Sequence, residues 1–163
     1  MVTGTEALRQ ALADYLTDRG VAAVTAWPQE RRAHQAGAVA AVSLRGFSGG
    51  APGFQDYLGE RYNDAAGRWE ELYGKRVELT FGLDLFAATA REAQAGLDAL
   101  NAALAKGGPE GLRPVEVTAG ETLFQADARR YRCPVEAKFQ AWCTAVAAEE
   151  GEFTDFTVKG EHV

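Results

Sequence analysis

At 163 residues, with 47% hydrophobic, 25% charged and 10% aromatic side chains, the chain has the material for one self-supporting domain. A net charge of −6 with aromatics spread along the length argues against disorder, and a pI near 5.0 argues against a chain whose task is to grip phosphates. No run of about 18 apolar residues offers a membrane span, and residues 1–16 lack the basic-then-apolar pattern of a secretory signal, so a soluble intracellular domain is expected.

Thr3 and Glu6 fit a capping box, with Thr5 as the alternative cap. Leu8, Leu12, Tyr15 and Leu16 then share one face of a helix that Gly20 closes. Val21–Trp27 is β-branched and aromatic enough for a short strand ended by Pro28. Residues 29–35 are charged and turn-like, and Ala38–Phe47 alternates as a second strand through Ala38, Ala40, Val42 and Leu44. The stretch Ser48-Gly49-Gly50-Ala51-Pro52-Gly53 has the composition of a linker.

Tyr57–Tyr62 and Arg68–Tyr73 read as a β-hairpin around a five-residue loop, Asn63-Asp64-Ala65-Ala66-Gly67. Its second arm runs on, because Val77, Leu79, Phe81, Leu83 and Leu85 alternate with Arg76, Glu78, Thr80, Gly82 and Asp84. One strand from Arg68 to Phe86, bent at Gly74, spans roughly 60 Å, against about 17–20 Å for an ordinary strand. A globule of this length is only about 30–35 Å across. The hairpin, over about 56–76, must project beyond the body or bend hard.

Thr89 and Glu92 repeat the capping box. Ala93, Leu97, Leu100 and Leu104 form the seam of a second helix that Lys106-Gly107-Gly108-Pro109 closes. Pro114–Gln125 and Arg130–Cys143 make a second hairpin around Asp127-Ala128-Arg129. Tyr131, Cys133, Val135, Ala137, Phe139 and Ala141 face one way on its later strand, with Arg132, Glu136, Lys138 and Gln140 opposite. Ala145–Gly151 is a helical turn or loop, and Glu152–Lys159 a last strand. No repeat is present. The order implies a single α+β domain over 1–163: a mostly antiparallel sheet, two helices on one face and a long projecting hairpin.

Catalytic patterns are missing from the sequence. Gly49–Gly53 is followed by no Gly-Lys-Ser/Thr, and Gly46-Phe47-Ser48-Gly49-Gly50 only approaches a nucleophile elbow. His34 and His162 are expected in solvent, as is Asp84, a lone carboxylate on the polar side of a strand. Glu149-Glu150-Gly151-Glu152 lacks calcium-loop spacing and reads as a solvated charge run. Cys133 and Cys143, ten residues apart on one strand and so roughly 33 Å apart, cannot meet the 4.4–6.8 Å a disulfide needs; both read as buried thiols. Arg129, Arg130 and Arg132 with Tyr131 form the one basic-aromatic cluster, at a hairpin tip, where nucleic acid or an acidic partner could touch it. Neither a cofactor nor a metal is expected.

Tyr57, Leu58, Tyr62, Trp69, Leu72 and Tyr73 put large side chains on the arm that should stand clear of the core. Exposed rings there favour an interface, since an isolated two-stranded ribbon is marginal and gains stability by packing on another chain. The other reading folds the hairpin back and makes the rings core. Both stay open on the residues alone.

The chain resembles the small tail terminator (tail completion) proteins of tailed bacteriophages and prophages. The likeness lies in the helix Leu8-Arg9-Gln10-Ala11-Leu12-Ala13-Asp14-Tyr15-Leu16, the strand into Trp27 and the hairpin Tyr57-Leu58-Gly59-Glu60-Arg61-Tyr62. It continues through Glu71-Leu72-Tyr73-Gly74-Lys75-Arg76-Val77-Glu78-Leu79, the helix Arg91–Leu104 and the closing Gly151-Glu152-Phe153-Thr154-Asp155-Phe156-Thr157-Val158-Lys159-Gly160. It rests on element order and texture over most of the chain, and that family has no catalytic residues to carry over. The resemblance implies a non-enzymatic ring, typically a hexamer, that caps the head-proximal end of the tail tube and meets neck, connector or sheath proteins. Location in the virion tail, and in the host cytoplasm during assembly, follows from it. So does a wall that repels DNA phosphate instead of binding particular sequences. The alternatives are a head–tail connector or neck protein and, from another class, a small-molecule-binding or enzymatic domain with a pocket under Gly49–Gly53.

Overall fold

The computed structural model describes residues 4–25, 37–50, 53–148 and 153–159. Helix α1 (Thr5–Asp18) buries Leu8, Leu12, Ala13, Tyr15 and Leu16. Its N-cap is Gly4, with no side-chain cap, and Thr5 is already helical. The expected cap therefore fails at Thr5, while Thr3 lies outside the described residues; Glu6 instead pairs with Arg9 at 2.7 Å. The other end closes as expected. The Gly20 N–H donates to the Thr17 carbonyl and the Val21 N–H to the Leu16 carbonyl, the paired bonds that end a helix on a left-handed residue, here Gly20 at φ 84°.

Strand β1 is only Ala23–Val24, parallel to Ala40–Ala41 of β2 (Val39–Ser48). Trp27, Pro28 and the expected turn at 29–35 lie outside the described residues. Hairpin β3 (Tyr57–Asn63) and β4 (Arg68–Ala87) follows a short 3-10 turn at Phe54–Asp56. Its loop is one residue shorter than expected, since Asn63 pairs with Arg68. The alternating run continues without interruption, making β4 a 20-residue strand. Helix α2 (Ala90–Ala105) starts as expected, the Thr89 hydroxyl accepting the Glu92 N–H. The reciprocal half of the box is absent, because Glu92 Oε2 is buried without a partner.

The second hairpin is broken in the middle of both arms. β5 (Arg113–Ala119) and β6 (Leu123–Gln125) face β8 (Val135–Ala148) and β7 (Arg130–Cys133). Pro134 lacks an N–H for the ladder, yet its carbonyl accepts the Gly120 N–H at 2.8 Å. β8 runs on through Ala145–Ala148, where a helical turn or loop was expected, and pairs with β9 (Phe153–Lys159). Pairing with Glu70–Tyr73 on one side and with β9 on the other overrides the helix preference of these alanines.

Among the described residues the result is a nine-stranded α+β sheet in which only β1–β2 is parallel. β4 is its spine. On one edge it pairs β3 through residues 68–73 and β2 through 78–86; on the other it pairs β8 through 70–82 and β7 through 85–87. Beyond β8 and β7 lie β9, β5 and β6. The expected two-stranded ribbon is thus the edge of a four-stranded blade, β3-β4-β8-β9. Its stability does not await another chain, because β8 supports it from within.

Val77, Leu79, Phe81, Leu83, Leu85 and Ala87 line one face of β4. They form a single core with Leu8, Leu12 and Leu16 of α1, Leu100 and Leu104 of α2, and Val135, Ala137, Phe139 and Ala141 of β8. Both helices therefore cover one side of the sheet, as the alternation implied. That core ends at Val77, and the stretch of β4 from Arg68 to Arg76 carries the blade past it. Cys133 is buried, Cys143 half-buried, and both are free; burial pushes the Cys143 thiol up from its ordinary value. No helix among the described residues is long and apolar enough to cross a membrane.

Candidate functional site

Two places gather polar or aromatic side chains. The first surrounds Asp84, on the face of β4 away from the helices. It was expected in solvent, but it is buried, its side chain 8% exposed. A register shift between Leu44 and Gly46 leaves Arg45 outside the ladder, the usual way a bulge re-aims a side chain. Arg45 then crosses Gly82, where a Cβ would collide with its guanidinium, and reaches Asp84 Oδ2 at 2.6 Å. Arg132 of β7 donates to the same oxygen through Nη2 at 2.6 Å and Nε at 3.0 Å. The Val135 N–H donates to Oδ1 at 3.1 Å, and Glu136 stands 3.5 Å from Arg45 Nη1. Two guanidinia and an amide therefore occupy this carboxylate. It pins β2, β4 and the β7–β8 kink together.

This arrangement also dissolves the basic-aromatic cluster. Arg132 is committed to Asp84, Arg130 is buried, and Tyr131 stacks edge-on against Phe124 at 5.3 Å; Arg129 alone of the three arginines is exposed. The Gly-rich loop fares similarly as a pocket roof. Gly49 lies directly on Val77 and Gly50 on the Lys75 side chain, so this part of the loop rests on β4. Ala51, Pro52, His34, His162 and the run Glu149-Glu150-Gly151-Glu152 lie outside the described residues.

The second place is the arm. Of the six expected interface residues, Tyr57, Leu58, Tyr62 and Trp69 are exposed, at 49%, 46%, 50% and 51%. Leu72 is half-buried. Tyr73 departs from the expectation: it is 4% exposed, held between Phe54 at 5.7 Å and Tyr57 at 5.6 Å. It belongs to the fold of its own chain. Register explains the division. Tyr57 opposes Tyr73, and Tyr62 opposes Trp69, so all four rings share the helix-side face, with Tyr62 and Trp69 edge-to-face at 5.6 Å. Leu58 sits in a bulge between Tyr57 and Gly59 and lies over Gly74. Phe54, 65% exposed, extends the aromatic surface.

Carboxylates interleave with these rings. Glu60 and Glu71 are cross-strand partners on the same face, and with Glu70 and Trp69 they line a hollow of about 170 Å³. The Tyr73 hydroxyl donates to Glu71 Oε2 at 2.7 Å. That bond first, and desolvation second, push its pKa up to about 12. Tyr57 is also raised, chiefly by desolvation and then by the charges of Glu60 and Glu71. Glu70 is buried on the other face, where Asn63 Nδ2 donates to it at 3.0 Å and Arg61 Nε at 3.4 Å. The Asn63 bond is the leading reason its carboxyl sits below the usual range, ahead of the arginines. Asn63 also accepts the Ala66 N–H on Oδ1 at 3.1 Å. One residue therefore fixes both the loop and the buried acid. In the sequence Asn63 stands out only as an Asn opening a tight turn.

Among the described residues no group of histidines, cysteines or carboxylates could hold a metal ion. The chain matches no known family and no curated protein.

Proposed function

We propose that this chain is a non-enzymatic structural subunit of a phage or phage-like tail, a ring-forming terminator that caps the tail tube at its neck end. The observation that carries the reading is the aromatic face of the arm, on which Tyr57, Tyr62 and Trp69 are each about half exposed and stand outside the main core cluster. Aromatic side chains dominate the energetic centres of interfaces. The support the arm receives from β8 removes stability as a reason for the contact and leaves the exposed rings as the argument. β3 and β4 are already paired within the chain, which lowers the ordering cost of association. The two carboxylates that are buried among the described residues, Asp84 and Glu70, are both occupied in holding strands together.

Sedimentation velocity over a hundredfold concentration range tests the reading, with and without tail tube subunits from the same genome. The expected result is a closed ring of defined size that binds tube ends and halts their growth in electron micrographs. A chain that stays monomeric alone and ignores tube ends would refute it. A ring that binds without halting growth would point instead to a neck or connector protein.

A further inference from the structure

We propose that the hollow beside Trp69 receives an arginine side chain of a basic partner protein. The contact rests on reading the arm as an interface and is independent of the ring. Trp69 is 51% exposed, and Tyr62 braces its ring edge-to-face at 5.6 Å. With Glu60, Glu70 and Glu71 it lines a space of about 170 Å³. That is below the roughly 300–1,000 Å³ of small-molecule pockets and on the scale of one large side chain.

Charge selects the occupant. Glu60 and Glu71 are directly opposed across β3 and β4, and like charges so placed destabilise a strand pair. Among the described residues neither carboxylate enters an ion pair. The arm's own cations are turned away. Arg61 and Arg68 both pair with Glu70 on the opposite face, and Lys75, further along the face that carries Glu71, lies against Gly50. The Tyr57 phenol registers the excess, its pKa raised in part by the charges of both carboxylates.

A guanidinium answers each feature. Its flat face stacks on an indole. Its fork suits two carboxylates on directly opposed residues, whose Cβ atoms stand about 4.5–5.5 Å apart. Lysine offers a point charge and no such fork. The sign of the whole chain points the same way. At a net charge of −6, like copies repel one another, whereas a basic protein is drawn in.

Protein grown with fluorotryptophan tests the contact by fluorine NMR, its three tryptophan signals assigned by single Phe substitutions. The probes are capped Gly-Arg-Gly, Gly-Lys-Gly and Gly-citrulline-Gly peptides; citrulline keeps the shape of arginine and lacks its charge. The arginine peptide is expected to shift the Trp69 signal saturably at millimolar concentration. It should bind at least fivefold more tightly than the lysine peptide and tenfold more tightly than the citrulline peptide. Glu60→Gln should weaken it at least fivefold and leave the melting temperature and the state of association unchanged. A Trp69 signal that the arginine peptide leaves still, or that lysine or citrulline moves equally well, overturns the assignment. So does a Glu60→Gln chain that binds as the wild type does, or one whose ring falls apart, which would make another copy the occupant. Sedimentation of the same samples keeps the two readings separate. A ring whose Trp69 ignores the arginine peptide overturns the hollow alone, and a ringless chain that takes the peptide refutes the ring alone.

Discussion

Replacing Asp84 with Ala strands four donors on three residues at once: Arg45 Nη2, Arg132 Nε and Nη2, and the Val135 N–H. The Val135 N–H loses its acceptor in a buried setting, which costs about 1–3 kcal/mol. The Arg45 and Arg132 side chains are 31% and 38% exposed, so water recovers part of what they lose. Each charged hydrogen bond therefore counts near the lower end of about 1.5–3 kcal/mol. Taking the lower figure once for the amide and once for each arginine gives about 4 kcal/mol, inside the range of about 3–5 for breaking a buried ion pair. For a chain of this size that is a fall of about 8–16 °C in melting temperature. Guanidinium melts of the wild type, Asp84→Ala, Arg132→Ala and the double variant measure it. The cycle is expected to give a coupling of at least about 1 kcal/mol between the two sites. A loss below about 1 kcal/mol for Asp84→Ala, or additive single variants, would refute the view that this cluster holds the kinked strand to the sheet.

Three further outcomes follow from the same structure. Trp69→Ser should leave the melting temperature within a few degrees of the wild type, whereas Tyr73→Ser should lower it far more, because only the second ring is buried; equal effects in thermal melts would contradict the division. Folding favours the protonated Tyr73 phenol, whose pKa is about 12 in the folded chain against about 10 when unfolded. Its contribution is thus complete below pH about 10 and drains away as pH climbs toward 12. Tyr73→Phe should flatten the alkaline part of a stability–pH curve, and an identical slope in both proteins would count against the Glu71 bond. Gly20→Ala should cost about 1–2 kcal/mol, the penalty for a side chain in the left-handed region, read as a melting-temperature drop of about 2–8 °C; nothing crowds that position, so a neutral result would mean the turn has relaxed.

Much of the architecture was legible because periodicity is a local signal. The alternation of Val77–Leu85 gave the spine, and the Leu8, Leu12 and Leu16 stripe and the Leu97, Leu100 and Leu104 stripe gave helices on the side where that alternation buries its leucines. What the sequence hid was non-local. Asp84 looked solvated because its partners stand 39 and 48 residues away, and a polar position on a strand says nothing about what lies across the neighbouring strand. Ala145–Ala148 looked helical because alanine prefers helix until a ladder claims it. Tyr57, Tyr62, Trp69 and Tyr73 could not be sorted by composition; register sorts them, placing Tyr73 under its neighbours. Leu123 and Phe124 were read as part of one long strand, although two consecutive large apolar residues break period two and could have marked an edge.

The spine has a mechanical consequence. Antiparallel hydrogen bonds lie across the strands they join, so a tug on the arm directed along β4 loads them in shear. Thirteen consecutive register positions, from Glu70 to Gly82 against β8, then share the force and must slip together instead of unzipping one by one. Tension entering at one corner of the plate would reach the other with little stretch between them.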